Sequence, residues 1–421
     1  MRAIQRPYYL DWLKRWRDKD VIKVVTGMRR CGKSTILELF QTDLAQSGVP
    51  RSNIISINFE TKLEEDYPLT AKELYGYVVA RLGKGGVTYV FLDEIQQVEH
   101  FEEVVDALYA RDDVDLYITG SNAYFLSGEL ATYLTGRYVE IRVFPFSFKE
   151  YYTALEELYT HAEGAASSSD SSLEFTPEPL PSKEEAFNRY LTRGGLPFAA
   201  RLSNERDIIE YLEGVFNTIF VKDIAKRRPR MDMNALRATA SFLADNIGNI
   251  SSIKRISDGL TERNNKISQG AVGQYLSSLN EAYLLFMAGR FDLKGKEYLK
   301  TLEKYYLGDL GFRFWLLGKS AGDVGRRIEN VVYLELLRIY DHVFVGKQEK
   351  QEVDFVASRG DKTHYYQVAQ TVLDERVLKR ELSPLQSIED NYPKTLLTLD
   401  RIGTGDISGI KHKNLIDWLL E

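Results

Sequence analysis

The segment Gly27-Met28-Arg29-Arg30-Cys31-Gly32-Lys33-Ser34 carries the clearest chemical pattern in this chain. It fits Gly-x-x-x-x-Gly-Lys-Ser/Thr. In that pattern glycines let backbone N–H groups turn inward around a polyphosphate, and the helix that follows adds its positive end. Lys33 is expected to reach the β- and γ-phosphates and Ser34 to ligate Mg²⁺. Thr35 completes a nucleotide-contacting set that starts at Gly27. Further on, the apolar run Tyr89-Val90-Phe91-Leu92 ends in Asp93-Glu94. An Asp there holds magnesium, largely through its waters, and a Glu orients and deprotonates an attacking water. Alone, such a run is a weak signal; beside the loop it points to a nucleotide hydrolase. The next apolar run closes with Thr119-Gly120-Ser121-Asn122. Either Ser121 or Asn122 positions water or touches a γ-phosphate, or the segment is simply a glycine-containing turn. Arg137, in Thr135-Gly136-Arg137, reads as an arginine finger or as a surface salt-bridge residue. Arg29 and Arg30 are placed to contact phosphate or a neighbouring subunit.

These side chains need a scaffold. Apolar runs at 21–26, 54–59, 87–92, 116–119 and 139–143 alternate with helical patterns at 34–44, 71–82, 101–109 and 123–134. Short apolar strands separated by helices predict a parallel sheet covered on both faces. Residues 1–20 read as a short amphipathic helix that packs as an arm on this domain. At 161–183 a serine cluster is followed by Pro177, Pro179 and Pro181, which predicts a loop or linker. A helical stretch follows to about 240, broken at Arg193-Gly194-Gly195-Leu196-Pro197. Then Ser251 or Ser252 caps a helix expected to stop near Asp258-Gly259, and Ser268 caps a second. A hairpin around Lys294-Gly295-Lys296 completes a winged-helix pattern. Its second helix enters a DNA groove, with Lys254, Arg255, Arg263, Lys266 and the basic run at 226–230 on phosphates, or the module is a lid or docking surface. In the second case Gly270, Gly273, Gln274, Ser277 and Ser278 face outward. From about 309 a separate α/β unit begins, with a helix at 328–340 and strands at 343–345, 353–357 and 363–369. The expected fold is therefore α/β. It comprises a P-loop parallel-sheet domain (1–160), a linker (161–183), a helical lid or connector (184–240), a winged-helix-like domain (241–308) and an α/β domain (309–421).

Composition sets the outer bounds. The 421 residues suggest about three domains at roughly 150 residues each. The single cysteine excludes an internal disulfide and a Cys-cluster metal site, and the five histidines are scattered. There is no apolar stretch of a signal peptide at the start and none long enough to span a bilayer, so a cytoplasmic protein without membrane contact is expected. The net charge of −6, from 55 basic and 61 acidic residues, argues against a surface wholly devoted to nucleic acid but leaves room for a local basic patch.

Taken together, the Gly27-to-Ser34 loop, Phe91-Leu92-Asp93-Glu94-Ile95, Ile118-Thr119-Gly120-Ser121-Asn122, Leu134-Thr135-Gly136-Arg137 and Phe144-Pro145-Phe146-Ser147-Phe148 resemble the prokaryotic AAA-plus-type ATPases. More narrowly, they resemble the group whose C-terminal half is a domain of unknown function similar to restriction endonucleases. The resemblance continues through Gly194-Gly195-Leu196-Pro197, Ile328-Glu329-Asn330, Gln351-Glu352-Val353-Asp354-Phe355 and Asp390-Asn391-Tyr392-Pro393-Lys394. It covers nearly the whole chain and departs only at the 161–183 insert. It implies ATP binding and hydrolysis with Mg²⁺, Ser121 or Asn122 at the sensor position and Arg137 at the finger position. Metal-dependent nucleases of the C-terminal fold need a helix carboxylate, a strand-end Asp and a Glu-x-Lys. Glu329 and Asp354 fit the first two places, while Gln367 and Ala369 stand where Glu and Lys are expected. Lys347 or Lys350 could replace the missing lysine. The expectation is a degenerate nuclease-like fold used for binding. The whole reads as an ATPase whose nucleotide state switches a module that binds DNA or a protein partner, and as a homo-oligomer if Arg137 serves a neighbour. The competing readings are an ATP-dependent nuclease of a mobile-element defence system and an ATP-binding switch that does not hydrolyse.

Overall fold

The computed structural model describes residues 3–60, 70–83, 85–123, 136–166, 179–263, 266–295, 297–318, 324–348 and 351–421. Two compact units emerge: Met1–Pro145 with Glu281–Tyr283, and Phe146–Asn280 with Leu284–Glu421.

The first unit is built on five parallel strands: β1 (Ile22–Gly27), β2 (Ile54–Asn58), β3 (Thr88–Asp93), β4 (Val114–Gly120) and β5 (Tyr138–Val143). Their spatial order is β2-β3-β4-β1-β5. Every residue of β1 and β3 is buried. That is the condition of parallel strands covered on both faces, and it explains the near-continuous apolar runs. On one face Val24, Ile57, Val90, Leu92 and Ile118 pack with Leu74 and Val78 of α3 (Ala71–Val79) and with Val104, Val105 and Leu108 of α4 (Phe101–Tyr109). Elsewhere in this core Phe91 and Tyr117 stack at 4.7 Å, and Phe40 of α2 (Lys33–Gln46) meets both rings. The arm is the short helix α1 (Pro7–Trp16), whose Tyr9, Leu10 and Leu13 are buried. The helix expected at 123–134 lies outside the described residues apart from Ala123.

The order matters for chemistry. β4 lies between β1 and β3, so the C-terminal ends of three adjacent strands bring Gly27, Ser121 and the Asp93-Glu94 pair side by side. Crevices at strand C-termini are where open α/β sheets bind ligands.

The second unit begins with a helix Phe148–Ala166, which enters the segment expected to be a linker from 161. Ala162, Ala165 and Ala166 are strong helix formers and carry it forward. Residues 167–178 lie outside the described set. The loop Gly194-Gly195-Leu196-Pro197 is clamped by the buried Asp309: its carboxylate accepts from Gly195 N at 2.7 Å and from Gly311 N at 2.8 Å. Gly194 has φ +77°, and a Cβ there would meet Asp309 Oδ1 at 1.8 Å, so only glycine fits. Burial pushes the Asp309 carboxyl up to about 7, although the Gly195, Gly311 and Leu196 N–H groups pull the other way.

The helix Ile253–Glu262 is capped by Ser252, whose hydroxyl accepts from Arg255 N. It runs through Gly259 rather than stopping there. A Cβ at Gly259 would lie 2.6 Å from the Phe242 ring, so this glycine serves close helix packing and not termination. On the next helix, Gln269–Glu281, Ser278 is buried and donates to Gln274 O, contrary to the outward polar face expected of it.

The hairpin β7 (Leu285–Asp292) and β8 (Glu297–Leu307) belongs to a nine-stranded sheet. The other strands are β6 (Ile250–Ser251), β9 (His342–Gln348), β10 (Gln351–Arg359), β11 (Lys362–Val368), β12 (Lys394–Thr398), β13 (Gly405–Ile407) and β14 (Ile410–Asn414). The order is β13-β14-β12-β11-β10-β9-β7-β8-β6. Parallel pairing of Arg290 with Val345 joins β7 to β9, so the segments 241–308 and 309–421 share one sheet. The helix Val324–Ile339 contributes Tyr333, which stacks with Tyr306 of β8 at 4.3 Å and also meets Phe355 of β10.

Candidate nucleotide site

Gly27 ends β1 with φ +144°, and a Cβ there would meet Val143 O at 2.2 Å. This turn is open only to glycine. Gly32, at φ +102°, then starts α2, which makes Lys33 its first residue. The buried Lys33 ammonium folds back over the loop, donating to Gly27 O at 3.0 Å and Met28 O at 3.3 Å, and lies 3.3 Å from Glu94 Oε1. Burial, the largest single influence, lowers its pKa, but Glu94, Cys31 and Asp93 together outweigh it and hold the group above its ordinary value.

Asp93 closes β3. Its Oδ2 accepts from Asn58 Nδ2 at 2.9 Å, and its Oδ1 accepts from the Thr119 hydroxyl. Burial pushes this carboxyl up, offset in part by hydrogen bonds from Ser34 and Thr119. Ser34 and Asp93 thus present a hydroxyl and a carboxylate to one another, a hard-oxygen pair of the kind magnesium takes. Glu94 adopts φ +56°, a conformation a non-glycine residue rarely holds without support. The support is its own N–H, which donates to Thr119 Oγ1 at 2.8 Å. Its carboxylate accepts from Gln96 Nε2 at 2.5 Å. Burial works against the charge on Glu94, yet Lys33 and then Arg29 hold its pKa below the usual carboxylate value.

Ser121 and Asn122 are both buried at the end of β4, with Ser121 Oγ 3.4 Å from Arg29 and from Gln96. Met28 and Cys31 are buried in the loop, and burial raises the Cys31 thiol. Thr35 is half-buried and Arg30 is exposed. Arg137 is not brought to this place. Its carbonyl accepts from Ile22 N at the start of β1, and the loop leaves the other end of that strand. Five residues of parallel strand separate the two edges, roughly 16 Å. Arg137 is half-exposed and ion-pairs with Asp106 at 2.5 Å.

Four residues of the site were not singled out from sequence: Asn58, Glu60, Gln96 and Thr119. A usable signal existed for three of them. Asn58 and Glu60 stand at and just past the end of the second apolar run, and Thr119 closes the fourth run just as Asp93 follows the third.

A second cluster of charge lies in the larger unit. Glu329 of the helix Val324–Ile339 and Asp354 of β10 do meet, but the cation among them is Lys304 of β8. Its ammonium lies 2.9 Å from Glu329 Oε1, 2.6 Å from Glu352 Oε1 and 3.6 Å from Asp354 Oδ1. Burial opposes the charge on Lys304, and Glu329, Asp354 and Glu352 together raise its pKa. Burial and the nearby Glu329 raise the Asp354 carboxyl. Tyr306 donates to Glu329 at 2.6 Å and Val368 N to Asp354 at 2.9 Å. Gln367 accepts from Asp354 N and donates to Glu381, and Ala369 packs into a hydrophobic cluster. Lys347 lies 3.9 Å from Asp292 instead, and Lys350 is outside the described residues. Among the described residues, no group of three His, Cys, Asp or Glu side chains is arranged to hold a metal ion.

The fold and the loop define the first unit as an AAA-type P-loop ATPase domain. Residues 19–152 match the family model for the AAA domain, and residues 184–323 match a domain of unknown function, DUF8612. The chain belongs to the same family as an uncharacterized protein of Haemophilus influenzae, to which it is 36% identical over 419 residues, covering 99% of each chain. An uncharacterized protein of Methanocaldococcus jannaschii is 28% identical over 94% of this chain and 86% of its own length. Among solved structures, the Walker-type ATPase of Pyrococcus abyssi shares the fold at TM-score 0.52 and 16% identity, covering 75% of this chain and 96% of that one. Among the described residues no helix is long and apolar enough to cross a membrane.

Proposed function

We propose that this protein binds ATP with Mg²⁺ and hydrolyses it, and that its nucleotide state governs a larger unit that binds DNA or a protein partner. The observation that supports this best is the convergence of Lys33, Asp93, Glu94 and Ser121 at the ends of three adjacent strands. In this reading the inward-turned loop and Lys33 bind the β- and γ-phosphates. Ser34 and Asp93 hold Mg²⁺, which neutralises phosphate charge when bound. Glu94, fixed by Thr119 and Gln96, takes the proton of the attacking water, and Ser121 or Asn122 orients that water or the γ-phosphate.

The experiment pairs two variants. Lys33→Ala should lose ATP affinity in calorimetry. Glu94→Gln should bind ATP and lose most turnover, because an amide can hydrogen-bond water but cannot accept its proton. Unchanged affinity in the first variant, or wild-type turnover in the second, refutes the assignment.

For the larger unit we propose a winged-helix-like and nuclease-like module that binds without cutting. Arg263 is engaged with Asp245, which leaves the exposed Lys254 and Lys266 as the freer cations near the helix Gln269–Glu281. A second reading, metal-dependent nuclease, is favoured by one observation: Lys304 stands among Glu329 and Asp354, where the sequence offered no lysine. Plasmid incubation with Mg²⁺ or Mn²⁺ separates the two. No cleavage is expected. Cleavage by the wild type that is lost in Asp354→Ala would establish the second reading.

A further inference from the structure

We infer that Arg29 is a built-in arginine finger, supplying from the phosphate-binding loop of the same chain the guanidinium that stabilises the transferring γ-phosphoryl group. The inference rests on the hydrolase reading above and names a residue that reading leaves without a role.

Arg29 is 3% exposed, and an arginine is almost never so buried without partners that compensate its charge. Its guanidinium spans the corner where hydrolysis would occur. Nη1 pairs with Glu60, just past β2, and Nη2 reaches Ser121 Oγ, past the end of β4, at 3.4 Å. Glu94, past the end of β3, feels its charge second only to that of Lys33 among the cations. Lys33 and Arg29 therefore flank the catalytic carboxylate from the same loop, one ammonium and one planar fork. A phosphoryl group seated in the loop opposite Glu94 meets both.

The two other arginines considered for this role are placed elsewhere. Arg30 is exposed, and Arg137 lies at the opposite edge of the sheet, paired with Asp106. Arg29 also has a partner it can exchange. The Glu60 side chain is 30% exposed, so water can solvate it when the fork turns to phosphate. A γ-phosphate offers more negative charge than a carboxylate and matches the fork with two oxygens.

In the reaction, the water oxygen bonds to the γ-phosphorus while the bond to the β–γ bridging oxygen breaks. The electron pair stays on ADP, and the water proton passes to Glu94. Arg29 makes and breaks no covalent bond. It donates hydrogen bonds to the non-bridging oxygens as their charge redistributes. No neighbouring subunit is needed.

The test uses the full chain with Arg29→Ala and Arg29→Gln. The readouts are kcat, ADP affinity by calorimetry, and trapping of ADP–aluminium fluoride as a transition-state mimic. Circular dichroism confirms that each variant is folded. Turnover should fall by about 10²–10³-fold. ADP affinity should stay within about threefold, because a γ-phosphoryl contact is absent from ADP. Trapping should be lost, and added guanidinium should recover part of the turnover of Arg29→Ala. Arg29→Gln keeps a polar amide on a shorter stem and removes only the charged fork, so it decides the matter if Arg29→Ala is unfolded. Wild-type specific activity should stay constant on dilution to a monomer. Folded variants that keep turnover within about threefold and still trap ADP–aluminium fluoride would overturn the assignment of Arg29 alone. So would wild-type activity that vanishes on dilution. A wild type that binds no ATP would overturn the hydrolase reading with it.

Discussion

Lys304→Met removes one ammonium from among three carboxylates while keeping the length and apolar stem of the side chain. The Lys304 side chain is 5% exposed, and those of Glu329 and Asp354 are 14% and 13% exposed. Removing one partner of a buried pair leaves uncompensated charge and typically costs about 3–5 kcal/mol. Glu352, at 28% exposed, is partly screened by water and adds little to that figure. The carboxylates can relieve themselves by taking up protons, which makes the penalty depend on pH. Asp354 already has a raised carboxyl in the fold, through burial and Glu329, and loses in this variant the cation that opposes the shift. An acid whose folded pKa lies above its unfolded value stabilises the fold most at low pH and loses that stability as pH rises through the folded value. The variant should therefore lie about 2 kcal/mol below wild type at pH 5 and about 4–5 kcal/mol below at pH 8. At roughly 2–4 °C per kcal/mol for a unit of this size, the pH 8 loss in Tm is about 8–20 °C. Thermal melts followed by circular dichroism at the two pH values measure it, and adding Glu329→Gln to the variant should recover more than half. A loss under about 3 °C at pH 8, or one that does not change with pH, would show that the ammonium is not the charge that holds this cluster.

Two further predictions concern the same unit. Asp309→Ala orphans the buried Gly195 and Gly311 N–H groups, at about 1–3 kcal/mol each, so urea unfolding should show about 2–6 kcal/mol lost; a loss under about 1 kcal/mol would mean the clamp is dispensable. His364 is held down at about 4 by burial and then by Lys411 and Lys413. Since its folded pKa lies below the unfolded value near 6.5, its contribution is full above about pH 6.5 and is lost as pH falls toward 4. Urea midpoints across that window should decline, and His364→Gln should flatten the decline; an unchanged slope rejects the assignment.

How far sequence reached depended on whether a function was local. The loop was legible because Gly27 and Gly32 are required by backbone geometry within a few residues, and the acidic pair because β3 is an unbroken apolar run that stops at Asp93. What those residues meet was less accessible. Thr119 supports both Asp93 and Glu94, but only because β4 lies beside β3. The position of Arg137 follows from strand direction alone. A residue before a parallel strand and a loop after its neighbour lie on opposite edges, and the identity of an arginine near a strand does not reveal which edge it occupies. Gly259 misled for a related reason: helix termination and close packing both favour glycine, and Phe242 decides between them from another helix. Lys304 was missed because a replacement for the lysine absent at Ala369 was sought at Lys347 or Lys350, whereas the cation arrives from a hairpin strand earlier in the chain.

Both units set a buried lysine against carboxylates at or near strand ends, yet the two arrangements differ in what they leave available. In the first, Lys33 and Arg29 both face Glu94, and the loop backbone that carries them is turned inward by a glycine no other residue can replace. Asp93 and Glu60 stand beside them, so the corner has no excess of cations; what it can offer an anion is the inward-turned loop and a guanidinium whose partner, Glu60, is itself open to water. In the second, a single ammonium is shared by Glu329, Glu352 and Asp354, and Tyr306 and Val368 N satisfy further oxygens. Gln367 then ties Asp354's backbone to Glu381. That balance repels a phosphate and already holds its cation in place. The same chemistry of opposite charges thus cross-links β8, β10 and the helix Val324–Ile339 in one unit, and in the proposed reading of the other it gives way to phosphate.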